Sequence, residues 1–220
     1  MKKWSTIYSN KIKERGGAEE YLNYKVKEKE IFINKIISYC KPYKNILEAG
    51  CGTGVLSIYL ANKGFDVTAV DNDQKMLNIA NKICMKYHKK PHFIRQDINN
   101  LNYSRNYFGV VFSHGVLEHF SDSQIVYLLK EQLRISHTLI FSIPTNYLDE
   151  SKDRYYGNER FLSFKKWKSL ILETPSKIVE VFGFHYIMGW RKYWDTIVRM
   201  KMFGPPPYLT FVLKKTNKII

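Results

Sequence analysis

The chain has few of the features that mark secreted or membrane proteins. Its 220 residues include three cysteines, Cys40, Cys51 and Cys84, and this odd, scattered set supports neither a disulfide framework nor a zinc site. No apolar run approaches the roughly 20 residues of a membrane-spanning helix. Residues 1–5 lead into polar residues, where a signal peptide would have an apolar core. These absences predict a cytoplasmic protein with no membrane span.

Acidic residues are also scarce, with 20 Asp and Glu against 35 Lys and Arg, which gives a net charge of +15. The excess is uneven. Residues 1–44 carry 11 basic and 5 acidic residues, residues 45–151 carry 10 of each, and residues 152–220 carry 14 and 5. Basic surfaces attract phosphate-bearing or acidic partners. A composition bias towards lysine would instead scatter these charges over solvated faces, and the sequence leaves both interpretations open.

No internal repeat or low-complexity tract divides the chain, and its length suits one domain with a central sheet. Apolar runs predict strands at 46–49, 66–71, 92–96, 108–113 and 137–143, and helices at about 54–63, 73–88 and 121–135. Asp73, and Ser121 or Asp122, are suitable helix caps. This alternation predicts an α/β fold with a doubly wound, mostly parallel sheet and helices on both faces.

The two flanks differ from this core. Residues 18–40 carry apolar residues at helical spacing, which predicts one amphipathic helix that is entered at Gly16 and Gly17 and stopped by Pro42. After Pro144 we predict a long polar loop at 145–160, a helix at 163–172, and strands at 179–188 and 208–213 that can pair antiparallel. We therefore divide the single domain 1–220 into an N-terminal helical cap (1–44), a ligand-binding core (45–144) and a lid with the C-terminal strands (145–220).

Residues 46–54 are the most informative segment, because an apolar run ends in Gly50, Gly52 and Gly54 and is followed by a predicted helix. Glycines let a ligand lie against the main chain. Asp71 ends the next apolar run 21 residues after Gly50, close to the roughly 20-residue offset of a ribose-binding acid in a nucleotide-binding βαβ unit. A carboxylate there can accept hydrogen bonds from both ribose hydroxyls and would repel a 2′-phosphate. The segment predicts an adenosine-containing ligand, although the usual dinucleotide glycine spacing is only half matched.

Four motifs in sequence order resemble those of the class I S-adenosylmethionine-dependent methyltransferases. Residues 48–54 are similar to motif I, and residues 70–72 to the segment with the second-strand acid. Residues 93–98 are similar to the third-strand segment whose acid reads the adenine amino group. Residues 108–120, which include His114-Gly-Val-Leu-Glu-His119, resemble the fourth strand and following turn of the small-molecule (ubiquinone/menaquinone-methylase-like) branch.

The resemblance implies a Rossmann-like, seven-stranded sheet with an antiparallel last strand, and S-adenosyl-L-methionine as the cofactor. Gly50, Gly52 and Gly54 would hold its methionine part, with Cys51 packing inside the turn and Glu48 orienting the ammonium group directly or through water. Asp71 would bind the ribose, and Asn72, Asp97 and Ile98 would frame the adenine. The methyl group would then point towards residues 113–119, which begin with Ser113.

His119 and, as a second choice, His114 are candidate general bases, because a neutral imidazole can remove a proton near physiological pH. His119 could instead hydrogen bond only within the helix start. We expect Glu118 to be structural or solvent-facing. No metal site is predicted, because no third ligand accompanies the two histidines, and Asp149 and Glu150 match a catechol-type metal site poorly.

The acceptor is less defined. An oxygen or nitrogen of a small molecule, of anionic or aromatic character, suits the turn at 114–119 and an aromatic-rich lid. The aromatic residues could line a pocket, hold a cation or form the lid's own core, and they are Tyr155, Tyr156, Phe161, Trp167, Trp190, Tyr193 and Trp194. Trp4 and Tyr8 could fold over the cofactor.

Two other functions remain open from the sequence. The basic flanks are compatible with an RNA substrate, although the fourth-strand turn lacks the Asn/Asp-Pro-Pro-Tyr type of motif, and Pro206-Pro207-Tyr208 stands before the last strand. A non-catalytic interaction module would retain the fold alone, but the intact Gly50, Gly52, Gly54 and Asp71 argue against it.

Overall fold

A computed structural model describes residues 4–145, 158–184 and 208–216. The chain begins with three helices, α1 (Trp4–Glu14), α2 (Ala18–Glu28) and α3 (Glu30–Cys40). The prediction of one continuous helix over 18–40 is wrong, because the backbone leaves helical geometry at Lys29 (φ −108°, ψ 17°). The two halves bury different faces: Leu22 packs beside α4 and α5, whereas Phe32 packs on the central sheet. A straight helix could not serve both contacts.

The central sheet has seven strands in the order β3-β2-β1-β4-β5-β7-β6. Only β7 runs antiparallel to its neighbours among the described strands, so the predicted doubly wound sheet with an antiparallel last strand is confirmed. The strands are β1 (Asn45–Ala49), β2 (Asp66–Asp71), β3 (His92–Arg95), β4 (Phe108–His114), β5 (Ser136–Pro144), β6 (Ser176–Phe184) and β7 (Tyr208–Lys215).

Within the described ranges, α3 is joined on the faces of the sheet by α4 (Val55–Asn62), α5 (Gln74–Cys84), α6 (Asp122–Ile135) and α7 (Phe164–Leu172). The predicted caps form, since Asp73 accepts a hydrogen bond from the Lys75 amide and Ser121 makes a reciprocal capping box with Gln124. Helix α5 ends four residues before its predicted end. The next residue, Met85, is 72% exposed and so adds no buried apolar contact to the helix.

The core has two layers, one on each face of the sheet, and together they hold the carboxyl edge of the sheet in place. One face packs on α6 and α7, where Trp167 is fully buried among apolar residues. The other face packs on α3 and α4. Carboxyl ends of parallel strands form the usual ligand crevice of such sheets, and the glycine loop, Asp71 and His114 all lie at this edge.

Several predictions fall on residues outside the described ranges. These are the metal-ligand candidates and most lid aromatics, namely Asp149, Glu150, Tyr155, Tyr156, Trp190, Tyr193 and Trp194, and the predicted extension of β6 beyond Phe184. Within the ranges that are described, no helix is long and apolar enough to cross a membrane.

Candidate active site

The glycine loop connects β1 to α4 and is tied to the neighbouring strand. The amides of Gly50 and Cys51 both donate to the Val70 carbonyl over 2.9 Å, and the Gly54 amide donates to the Cys51 carbonyl over 2.8 Å. Gly50, Gly52 and Gly54 have φ angles of 77°, 54° and 66°. Other L-residues are strained in this region, so the sequence of alternate glycines follows from the turn itself.

The three glycines differ in what surrounds them. A Cβ on Gly50 would lie 2.7 Å from Val116 Cγ2, and one on Gly54 would lie 2.6 Å from Phe93 Cε1. The nearest atom to a Cβ on Gly52 would be Met76 Cε at 3.8 Å. Gly50 and Gly54 are thus also required by protein packing, whereas a Cβ on Gly52 would make only an ordinary contact, so there is room beside the main chain at this residue.

Asp71 is held at the end of β2 by both carboxylate oxygens. Its Oδ2 accepts a hydrogen bond from the Gly52 amide over 2.8 Å, and its Oδ1 accepts one from the Asp73 amide over 2.9 Å. Partial burial raises the pKa of Asp71, while these amide hydrogen bonds oppose the shift. A carboxylate offers about four lone-pair sites, so each oxygen can still accept a hydrogen bond from a ligand hydroxyl.

Glu48 lies in β1 directly below the glycine loop and is 4% exposed. Its Oε2 accepts hydrogen bonds from the Ser57 amide (3.1 Å) and the Ser57 hydroxyl (2.5 Å) at the start of α4. Burial raises the pKa of Glu48 to about 8, against the opposing effect of these two hydrogen bonds. Glu48 is therefore largely protonated at neutral pH until a cation approaches it. Beside it, Cys51 is buried and its thiol pKa is raised well above the ordinary value by burial, which suits the predicted packing role.

The candidate adenine-binding residues lie in the turns after β2 and β3. Asn72 is exposed, and its carbonyl accepts a hydrogen bond from Arg95 Nε. Asp97 is also exposed, and its Oδ1 caps its own turn by accepting hydrogen bonds from Asn99 N (2.9 Å) and Nδ2 (2.8 Å). Ile98 is 7% exposed and packs into the core on the α6 side. The polar groups thus lie at the surface above an apolar floor.

The end of β4 presents Ser113 and His114 on opposite faces of the sheet. Ser113 is 1% exposed, and its hydroxyl has no hydrogen-bond partner in the part of the chain that the structure describes. His114 is partly exposed and contacts Lys29, a residue of the N-terminal helical cap. Lys29 was not predicted as a site residue, because the helix break at this position was not expected from the sequence.

His119 ends the short 3-10 turn Leu117–His119 that follows β4. Its Nδ1 lies 3.1 Å from Asn158 Oδ1, and the Trp4 ring meets the imidazole edge-on at 5.4 Å. Burial lowers the pKa of His119, and nearby Glu159 and the contact with Asn158 oppose this shift. The imidazole is therefore neutral at physiological pH, as a proton acceptor must be.

Glu118 is 3% exposed, so the solvent-facing alternative for this residue is wrong. Its side chain faces back towards Gly115, and its Oε2 has no hydrogen-bond partner among the described residues. Burial raises the pKa of Glu118 to about 8, and Glu159 adds to the shift. The Arg160 amide donates to the Glu118 carbonyl over 3.0 Å, which attaches residues 158–162 to this turn.

Comparison with known proteins identifies relatives of the core. A family described as a methyltransferase domain matches residues 46–137. A ubiquinone biosynthesis O-methyltransferase from Coxiella burnetii is 32% identical over 81 residues, which cover 37% of this chain and 35% of that protein. Glycine N-methyltransferase from Rattus norvegicus is 43% identical over 58 residues, which cover 26% of this chain and 20% of that protein. This chain thus matches only about a third and a fifth of the lengths of these two relatives.

The fold is shared more widely. An S-adenosylmethionine-dependent methyltransferase from Clostridium acetobutylicum superposes with a TM-score of 0.66 at 18% sequence identity, and the match covers 87% of this chain and 92% of that one. At this identity the likeness establishes the architecture. It extends across both flanks of the core, beyond the segment that the sequence relatives share.

Proposed function

We propose that this chain, whose residues 46–137 match a methyltransferase domain, is a class I S-adenosylmethionine-dependent methyltransferase that transfers a methyl group from that cofactor to an oxygen or nitrogen of a small-molecule acceptor. One observation carries the proposal above all: the Gly52 amide holds the Asp71 carboxylate at the open part of the glycine loop. This arrangement combines exposed main chain with a ribose-binding acid at one edge of the sheet.

The residues present fit the cofactor. Because Gly52 has no side chain, there is room beside its main chain, where the methionine part of the cofactor would lie. Gly50, Cys51 and Gly54 shape the turn. Asp71 has lone pairs left for two ribose hydroxyls, and Asn72, Asp97 and Ile98 would surround the adenine. Ser113, whose buried hydroxyl has no hydrogen-bond partner among the described residues, would close the inner end of the site.

Glu48 would bind the ammonium group of the cofactor directly or through water. Because its pKa is about 8 in the protein alone, a cation at this position stabilises the ionised form. Ser57 holds the carboxyl group in place before the ligand arrives.

When bound, S-adenosylmethionine supplies a methyl group that is activated by its bond to a sulfonium sulfur. The acceptor attacks this methyl group in line with the carbon–sulfur bond. The chain's own residues then have two tasks, alignment of the acceptor and removal of its proton. His119 and His114 are the candidate bases; His114 ends β4, and His119 lies in the turn that follows it. Residues 158–162, attached through Arg160, cover the turn that carries His119.

A small acceptor is favoured over RNA by the distribution of charges. Several lysines of the flanks are paired with acids: Lys25 with Glu28 (2.5 Å), Lys35 with Glu180 (2.6 Å) and Lys166 with Asp122 (2.5 Å). Such pairs reduce the field available to a polyanion. The sequence relatives named above include one O-methyltransferase and one N-methyltransferase, and both atom types are retained in the proposal.

The direct test is a product screen with methyl-labelled S-adenosylmethionine and a deproteinised metabolite extract of the native cells. We expect a labelled small molecule that forms with the wild-type protein and not with the Asp71→Ala variant. Label in RNA alone, in a parallel reaction with total RNA, would contradict the proposed acceptor class. No label in either reaction would contradict catalysis.

A further inference from the structure

Lys29 occupies a position on the apolar side of the N-terminal cap. In the sequence it continues the alternating spacing of four and three residues of Leu22, Val26, Ile33 and Ile36, and in the structure it lies at the break between α2 and α3. Its side chain is 13% exposed. Lysines are almost never buried unless they are paired, so this position requires a specific partner.

That partner is His114, since Lys29 Nζ contacts His114 Nε2. The carboxylate of Glu28 is farther away, at 4.0 Å from Nζ. Phe32 and Tyr208 pack around the imidazole with ring centroids 5.6 Å and 5.0 Å from it. We call Lys29 and His114 the Lys29–His114 pair. It joins the helical cap to the end of β4 inside an aromatic enclosure.

The Lys29–His114 pair lies among more polar side chains than a hydrophobic core usually contains. His114 is in register with Ser142 of β5, and Ser142 with Thr210 of β7, so the three lie on one face. Both hydroxyls are buried and have no hydrogen-bond partner within the described segments. Glu48 lies on the same face of the sheet, on the neighbouring strand β1. Its position along the strands is two residues nearer their middle than that of His114. The pair therefore adjoins the proposed cofactor site on its β5 side.

Two basic nitrogens in contact cannot both carry a proton without strong repulsion. The charged groups that face Lys29 are Lys25 and Glu28 of α2, Lys11 of α1 and Glu48 of β1, and Tyr208 of β7 faces it with its ring. Burial lowers the pKa of Lys29 to about 7, and the charge of Lys25 adds to this effect. Near neutral pH Lys29 is therefore unprotonated in about half of the molecules, and in these the pair can accept one proton.

We propose that Lys29 and His114 together accept the proton of the methyl acceptor, an inference that rests on the proposed function. As the lone pair of the acceptor oxygen or nitrogen bonds to the methyl carbon, the carbon–sulfur bond breaks and its electrons stay on sulfur. The O–H or N–H proton of the acceptor passes to the pair and leaves from it to solvent after the transfer. The acceptor class is accordingly a protic oxygen or nitrogen, and His119 serves to position the covering residues.

Variants of Lys29 separate proton acceptance from charge and from packing. Lys29→Arg keeps a cation that cannot lose its proton, Lys29→Met keeps the length without a base, and Lys29→Ala opens space for added ethylamine. Lys27→Met is the matched control, because Lys27 is exposed near the end of α2, two residues before Lys29. Labelled product from the metabolite extract is measured between pH 5.5 and 9, and affinity for S-adenosylhomocysteine is measured by calorimetry.

With the wild type and Lys27→Met, we expect product formation to fall as the pH drops below about 7. Lys29→Met and Lys29→Arg should both lose on the order of 10²-fold in rate, a common contribution of a general base, while cofactor-product affinity changes less than about threefold. Ethylamine should restore activity to Lys29→Ala. In NMR spectra of protein with 13C-labelled lysine, the Lys29 signal should titrate near pH 7.

Three results would overturn the inference. A Lys29→Arg variant with wild-type rate would show that a fixed cation suffices. Loss of S-adenosylhomocysteine affinity in Lys29→Met, with an unchanged pH profile, would make Lys29 a cofactor anchor. A Lys29 pKa above 10 with S-adenosylhomocysteine bound would mean that the amine is already protonated at neutral pH and cannot accept a proton. Failure of the wild type to bind the cofactor or form any product is distinct from these, because it removes the proposed function itself.

Discussion

The Gly52 amide donates a 2.8 Å hydrogen bond to Asp71 Oδ2 and so joins the turn after β1 to the end of β2. The two elements of the nucleotide-binding pattern, 19 residues apart in sequence, form one unit before any ligand is present. This preorganisation reduces the ordering cost of binding. It also means that a change in either residue alters the geometry of the other.

The glycines of the loop should separate into two classes on substitution. Gly52→Ala should cost about 1 kcal/mol of stability, because it forces a left-handed residue into open space, and should weaken S-adenosylhomocysteine binding at least tenfold. Gly54→Ala should cost about 3 kcal/mol or more, because its Cβ also collides with Phe93. Thermal unfolding and calorimetry measure both effects. A Gly52→Ala variant with wild-type affinity would show that the ligand does not approach the main chain there.

Glu118 should make stability depend on pH. Its pKa is about 8 in the folded protein, above the ordinary 4.5, so the folded state favours the protonated form. This stabilisation is complete below pH 4.5 and is lost as the pH rises through 8. The Glu118→Gln side chain does not titrate. Between pH 5 and pH 8 the free energy of unfolding of the wild type should therefore fall by about 2–4 kcal/mol relative to that of the variant. Denaturant titrations at several pH values test this, and parallel pH profiles of the two proteins would refute it.

Glu48 should release a proton when the cofactor binds. At pH 7 its carboxyl group is largely protonated, and an ammonium group placed beside it favours ionisation. Calorimetry in buffers of different ionisation enthalpy should therefore give a release of about half to one proton at pH 7 and none well above pH 8. Glu48→Gln is the control and should abolish the release. Equal heats in all buffers for the wild type would mean that the ammonium group binds elsewhere.

His114, at the end of β4, and His119, in the turn after it, should differ in their effect on turnover. His114→Asn should lower labelled product formation by on the order of 10²-fold, because it removes one half of the Lys29–His114 pair. His119→Asn should lower it less than about tenfold, since its contacts with Trp4 and Asn158 give it a positioning role. The reverse order of effects would identify His119 as the base. S-adenosylhomocysteine affinity of both variants provides the check on folding.

The sequence was sufficient to predict the local structure wherever a short segment determines its own geometry. The spacing of Gly50, Gly52 and Gly54, the cap at Asp73 and the strand ending at Asp71 are local signals, and the structure has the corresponding turn, cap and strand. The antiparallel last strand was also predictable, because the segments around 180 and 210 lack the regular helix–strand alternation of the core.

Contacts between distant segments were not predictable. The Ser57 clamp on Glu48, the approach of Phe93 to Gly54 and the contact of Lys29 with His114 all depend on how helices settle on the sheet. Lys29 did leave a signal, since a lysine stands in the apolar row of the cap. The helix break at that residue, however, has no strong marker in the sequence.

The measurement that tests the central claim most directly is calorimetric titration of S-adenosylmethionine and S-adenosylhomocysteine into wild type, Asp71→Ala and Asp66→Ala. Asp66 begins the same strand, is exposed, and serves as the matched control. We expect one-site binding to the wild type and to Asp66→Ala, with affinity reduced about 100-fold in Asp71→Ala through loss of two hydrogen bonds to a charged group. Absence of binding to the wild type, or equal affinity in Asp71→Ala, would contradict a cofactor site at the glycine loop.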